Sequence, residues 1–133
     1  MLESIKTYKV VDEVILAIAD SVHNKAYVAI CEERNINYVM GDQEDVLSRL
    51  IRSTEKVNGT DIFRLTSESP FTFSEMIEEA WHNHVQNDND LTAIDDLPDG
   101  SGFEIIKLEA YKKSWELGNK KHRSELCSLF IRE

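Results

Sequence analysis

A chain of 133 residues is long enough for one domain with a single hydrophobic core, and an apolar fraction of 41% is that of a folded rather than a disordered protein. Its formal net charge of −10 excludes the basic surface that a nucleic-acid duplex or an anionic membrane requires, yet leaves room for a small nucleotide held by a metal ion and local donors. No apolar run approaches the roughly 20 residues of a membrane span, and the N-terminus lacks the basic-then-apolar pattern of a secretory signal.

Along the chain the first clear element is "EVILAI" (13–18), a short continuous apolar run of the kind expected for a strand buried on both faces. Val22, Ala26, Ala29 and Ile30 then recur at helical spacing, and "YVM" (38–40) predicts a second strand ending at Gly41. A helix starting near Asp42, which reads as its N-cap, places Val46, Leu47, Leu50, Ile51, Thr54 and Val57 on one stripe. Asp61 to Leu65 is strand again. Thr72 with Glu75 has the spacing of a capping box, and Phe71 with Met76 that of the accompanying hydrophobic staple. The helix that follows carries Met76, Ile77, Ala80, Trp81, His84 and Val85 on one side. "DLTAI" (90–94) and "FEIIKL" (103–108) predict two more strands around a polar loop, and from Leu108 the tail reads as two helices separated near Gly118.

Strands alternating with helices predict βαβ units, hence a three-layer α/β sandwich with a mostly parallel sheet, in a single domain over 1–133. Val14 to Ile18 is expected to run parallel to Asp61 to Leu65. Ligands in such sheets bind outside the carboxyl ends of the strands. That edge is formed here by "ADS" (19–21), "GDQED" (41–45), "TSES" (66–69) and "IDDLPDGSG" (94–102).

Two readings compete at most polar positions on this edge. Glu68, between two serines, suits either a metal-holding acid or a solvated turn. Asp95, Asp96 and Asp99 could bind a divalent ion, but "DDLPDGSG" is also a strong turn sequence. His82 and His84 are two apart on a helix and point to different faces, so they cannot share a metal as an i,i+4 pair can. Trp81 and Trp115 read as core or interface residues. Cys31 and Cys127 lie far apart in helix-like contexts and read as reduced, buried thiols of a cytoplasmic protein. Cys31 has no basic neighbour spaced to make it a nucleophile.

The segments "MLESIKTYKVVDEVILAIAD", "GDQEDVLSRL", "DIFRLTSESPF", "DDLPDGSGFEIIKLEAYKKSWE" and "HRSELCSLFIRE", taken together and in this order, resemble the cytidylyltransferase family of spore coat polysaccharide biosynthesis, relatives of the CMP-Kdo and CMP-sialic acid synthetases. The resemblance implies a nucleotide-diphospho-sugar-transferase-like fold that uses CTP and Mg²⁺ to activate a sugar, releasing pyrophosphate. On that basis Asp20, Asp42, Asp45 and Ser67 are expected to contact the nucleotide, and Glu68 and Glu104 to hold the metal.

The chain also departs from the family pattern. The family opens with a strand and a signature loop rich in Arg, Ser, Gly and Lys that binds the triphosphate, and Met1 falls just after them, so the domain is expected to be N-terminally truncated. No GxGxxG or GxxxxGK[ST] stands in for that loop. Ser67-Glu68 replaces the family's Gly-Asp, Gly102 stands where an acid is usual, and Leu126 replaces a histidine. Two function classes follow. One is a cytidylyltransferase-like protein that engages CTP and a sugar but is inactive as this chain alone. The other is a non-catalytic dimerisation or interaction module. An incomplete sheet, with aromatic residues such as Trp81, Trp115 and Phe130, further predicts a homodimer burying at least about 1,200 Å².

Overall fold

The computed structural model describes all residues from Met1 to Glu133. After a short N-terminal helix α1 (Leu2–Ile5), the chain runs β1 (Ile15–Ala19), α2 (Lys25–Glu33), β2 (Asn37–Gly41), α3 (Val46–Lys56), β3 (Asp61–Arg64), α4 (Ile77–Gln86), β4 (Leu91–Ala93), β5 (Glu104–Lys107), α5 (Leu108–Leu117), α6 (Lys120–Arg123) and α7 (Leu129–Arg132). The main helices α2, α3 and α4 are each followed closely by a residue in the left-handed region: Asn35 (φ 50°), Asn58 (φ 53°) and Asp88 (φ 53°). Asn and Asp tolerate this conformation better than other side chains, and it lets the chain reverse within a few residues into the next strand.

The strands form two sheets rather than one. β1 and β2 pair in parallel, Ile15 opposite Asn37 through Ala19 opposite Gly41. β3, β5 and β4 form a second sheet in that spatial order, with both pairings antiparallel. The expected α/β class is present. The parallel pairing, however, is confined to β1 and β2, and β1 does not hydrogen-bond to β3. β5 runs antiparallel because a loop, residues 94–103, returns the chain from β4 without a crossover helix.

Helices cover both faces. On one side Cys31 of α2 packs with Ile18 and Ile36, joined by Leu2 and Val28. On the same side Ile77 and Ala80 of α4 pack with Phe103 and Ile105, joined by Tyr8, Val10 and Phe63. On the opposite side Leu47 of α3 packs with Ala110 and Tyr111 of α5, Ile106 of β5 and Cys127, joined by Ile62 of β3. Ile105 and Ile106 thus face opposite layers, as successive strand residues must. That is the expected three-layer sandwich.

Several local expectations are corrected. The stripe Val22, Ala26, Ala29 and Ile30 faces outward, and α2 buries Cys31 while half-burying Val28. Helical spacing fits both faces, and the side chain of Asn24, donating to the Ala19 carbonyl at 2.9 Å, fixes the one turned inward. The cap of α3 is Asp45, whose side chain accepts from Ser48 N–H at 2.8 Å, whereas Asp42 sits in the turn before it. The Thr72–Glu75 capping box and the Phe71–Met76 staple do not form. A 3₁₀ turn at Ser74–Met76 precedes α4, and Phe71 is 80% exposed. The backbone N–H groups of Phe71 and Phe73 instead pair with the carbonyls of Gly100 and Ser101. The tail contains three helices, with Gly118 as the C-cap of α5 as expected.

Gly118 is tightly enclosed. A Cβ there would lie 2.4 Å from the Ser114 carbonyl oxygen and 3.0 Å from the His122 ring. Gly118→Ala is therefore expected to destabilise by about 1–3 kcal/mol, as overpacking does. Urea denaturation would check it, and an unchanged midpoint would show that the turn yields without strain.

Candidate functional site

The loops at the carboxyl end of β3 and the amino end of β5 are held together. Besides the two backbone bonds from Phe71 and Phe73, Gly100 adopts φ 82°, where a Cβ would come within 3.3 Å of the Glu68 carbonyl. Glycine is the residue that accepts both the left-handed turn and this approach. Beside the joined loops lies an open cavity of about 270 Å³, lined by Arg64 at the end of β3 with Thr66 and Ser69 beyond it, Ala93 at the end of β4 with Ile94 beyond it, Gly102 and Phe103 leading into β5, Glu104 at its start, and Arg132 of α7.

Glu104 is the electrostatic centre of this cavity. It stands opposite Arg64 in the β3–β5 register, and the Arg64 guanidinium donates to its Oε2 at 2.7 Å. Ser128 Oγ donates to Oε1 at 2.7 Å, and Arg132 donates to the same oxygen at 3.0 Å. Arg64 also donates to the Glu125 carbonyl at 3.1 Å, and Arg132 lies 3.6 Å from Asp95. Burial alone would raise the Glu104 carboxyl, but the bonds from Ser128 and Arg64, the Arg64 charge and the bond from Arg132 outweigh it and hold the group below its ordinary range.

Among the expected site residues only Glu104 lines the cavity. Ser67 and Glu68 are exposed in the adjoining loop. Asp20 is exposed at the end of β1, where its backbone N–H donates to the Gly41 carbonyl at 2.8 Å. Asp42 accepts from the backbone N–H groups of Glu44 and Asp45 at 2.7 and 2.9 Å, and these bonds hold its carboxyl below the usual value. Asp45 caps α3 and also accepts from the indole N–H of Trp115 at 2.9 Å. Asp42 and Asp45 thus share one turn, with both carboxylate oxygens of Asp45 and one of Asp42 occupied by the fold.

A resident magnesium ion does not fit this arrangement. Both oxygens of Glu104 are engaged by three donors, and two guanidinium groups beside it would repel a dication. No group of three His, Cys, Asp or Glu side chains is placed to hold a metal. Gly102, where the family pattern has an acid, has open space at the position of a Cβ.

Sequence reasoning missed Arg64, Ser128, Arg132 and Arg49. A signal existed for Arg64, since a cation ending an apolar strand and facing Glu104 marks a cross-strand ion pair. Nothing in the sequence marks Ser128 or Arg132, which the chain brings back from its far end. Arg49 of α3 is 8% exposed, beside Gly41, with its Nε and one terminal nitrogen meeting no acceptor. The other polar groups are structural. His84 is buried, bonded through one ring nitrogen to Thr92 at 2.8 Å and through the other to Asp61 at 3.2 Å. Burial raises the thiols of both free cysteines, leaving neither activated.

Comparison with known proteins adds kinship to this geometry. No protein-family model matches the chain. An uncharacterized protein of Methanocaldococcus jannaschii is 26% identical over 133 residues, covering 100% of this chain and 55% of that protein. The spore coat polysaccharide biosynthesis protein SpsF of Bacillus subtilis is 27% identical over 95 residues, covering 71% of this chain and 40% of its own length. A solved cytidylyltransferase from Leptospira borgpetersenii superposes with a TM-score of 0.85 at 18% identity, covering 95% of this chain and 56% of that one. The chain therefore spans about half the length of the curated relatives it matches.

Proposed function

We propose, from the chain's place in the cytidylyltransferase family of spore coat polysaccharide biosynthesis, that it is the part of a nucleotidyltransferase that shapes the substrate edge for CTP and a sugar. The overall reaction would be CTP plus sugar giving CMP-sugar and pyrophosphate, in surface-polysaccharide or acidic-sugar activation and in the cytoplasm. The observation that carries this reading is the cavity of about 270 Å³ beside the loop after β3, within a fold that superposes on a cytidylyltransferase over 95% of the chain. Arg64 and Arg132 supply cations there, and Thr66 and Ser69 hydroxyl groups. Asp20, Asp42, Asp45, Ser67 and Glu68 remain candidates for contacts around the nucleotide. No metal-dependent step is assigned to Glu104. A homodimer formed through the outward apolar stripe of α2 belongs to the same reading, and light scattering at high micromolar concentration tests it.

These residues alone are expected to be inactive. The charge on a transferring phosphoryl group needs several fixed cations, whereas both cavity arginines are already shared with Glu104. The expected result is no CTP-dependent transfer and, by calorimetry with CTP and MgCl₂, binding weaker than about 1 mM. Micromolar binding would overturn the inactivity. The second reading, a non-catalytic interaction module, is favoured by a different observation: the free edges of the two sheets.

A further inference from the structure

α2 is patterned against its surroundings in two ways. Among its nine residues only Cys31 is fully buried. Val22, just before it, is 77% exposed, Tyr27 is 51% and Ile30 40% exposed, and Ala26 and Ala29 are exposed between them. The helix thus turns an apolar stripe to solvent, the mark of a surface that meets another polypeptide. Its charges also run against the helix macrodipole. The first turn has no acid and the last turn no base; Lys25 opens the helix, and Glu32 and Glu33 close it. A cation near the N-terminus and anions near the C-terminus each destabilise a helix that stands alone. One neighbour relieves both conflicts: a second helix lying antiparallel on this face.

The face is complementary to itself. At 3.6 residues per turn, Lys25 and Glu32 fall on one flank of the stripe and Tyr27 and Ile30 on the other, with Ala26 and Ala29 between the flanks. The midpoint of Lys25 and Glu32 along the helix, between residues 28 and 29, is also the midpoint of Tyr27 and Ile30. A two-fold axis through that point, lying in the contact plane across the helix, sets each flank against the same flank of a second copy, reversed in direction. Lys25 then faces the partner's Glu32 and Tyr27 faces the partner's Ile30, each twice over. Lys25 also comes beside the negative end of the partner helix, and Glu32 beside its positive end. Glu32 is exposed and has one carboxylate oxygen free, the other accepting from the Tyr38 hydroxyl at 3.3 Å. The two alanines at the crossing allow the helix axes to approach to about 8 Å, the close end of helix packing.

We propose that α2 is an isologous docking surface for a second copy of this chain, the two helices antiparallel, with Lys25 paired to the partner's Glu32 and Tyr27 packed on the partner's Ile30. α2 is about 14 Å long, which puts the contact near the lower bound of about 1,200 Å² for specific interfaces and makes the association weak and concentration-dependent. This inference rests on the homodimer reading and adds its orientation and partner residues; it does not rest on the nucleotide chemistry.

Sedimentation equilibrium of the chain up to about 1 mM tests this. The expected result is a monomer–dimer equilibrium with a Kd on the order of 10–300 µM, abolished by Ile30→Glu. Lys25→Glu and Glu32→Lys should each weaken the homodimer at least about tenfold, because each sets like charges opposite one another twice. An equimolar mixture of these two variants should recover a dimer about as tight as the native one, since every facing pair is then of opposite sign. Ala29→Cys, close to the two-fold axis, should oxidise to a disulfide-linked dimer, whereas Glu116→Cys, exposed on α5, should not; both native thiols are buried. A chain that stays monomeric at about 1 mM would overturn both the dimer and its geometry. A dimer broken by Ile30→Glu but indifferent to Lys25→Glu and Glu32→Lys, or not rebuilt by mixing them, would keep the dimer and overturn the antiparallel pairing. CTP titration is a separate readout, so the nucleotide reading and this one can fail independently.

Discussion

Glu104→Ala is expected to cost about 3–5 kcal/mol, the range for breaking one side of a buried ion pair. The Glu104 and Arg64 side chains are 15% and 16% exposed, so removing the carboxylate strands a guanidinium that water reaches poorly, together with the Ser128 hydroxyl. Glu104→Gln keeps the shape and the Ser128 bond, and should cost less. The native carboxylate also fixes an acid limb. Its folded value lies below the ordinary value of 4.5, so its contribution is complete above that value and is lost as pH falls through the lower, folded one. Urea denaturation of native protein and Glu104→Gln from about pH 3 to 7 checks the sign: the stability difference should shrink toward acid. A difference that is constant with pH would mean that Glu104 acts by packing rather than by charge.

The second large effect is expected at Leu47. Its side chain is fully buried in the core that joins α3, α5 and β5, and α3 is also the helix that reaches across both sheets. Leu47→Ala should therefore cost about 3–5 kcal/mol, from lost transfer energy and from a cavity that a helix pinned at both sheets cannot collapse to fill. A domain of this kind has about 5–15 kcal/mol in total, so the variant should unfold at far lower urea. Leu117→Ala, at a side chain 64% exposed, should change stability by less than about 0.5 kcal/mol. Comparable losses for the two would show that α3 does not tie the sheets.

Much of the fold was legible in residue order. The apolar run at 13–18, the turn at Gly41, the stripe of α3 and the paired runs around "DDLPDGSG" each lie within a few residues of an observed element, because burial period and turn chemistry are local signals. What was not legible depends on partners distant in sequence. The inward face of α2 depends on the Ala19 carbonyl, and the missing cap at Thr72 on the backbone of Gly100 and Ser101. The antiparallel course of β5 depends on a loop that carries no helix. The site divides the same way. The carboxyl-end loops follow from topology, but the binding of Glu104 by residues 64, 128 and 132 joins positions that no spacing rule connects.

The left-handed turn that ends α3 also bears on how the protein ages. Asn58 is followed by Gly59, the pairing whose unhindered backbone nitrogen attacks the asparagine side-chain carbonyl most readily, expelling ammonia through a cyclic imide that water opens to aspartate or isoaspartate. Here the Gly59 N–H is already donated to the Thr54 carbonyl at 2.9 Å, and Asn58 is held at φ 53°. The nucleophile is thus occupied while the helix end is intact and released when it frays. Conversion of this one asparagine, read by mass spectrometry over weeks of storage, would serve as a chemical clock of how often the end of α3 opens.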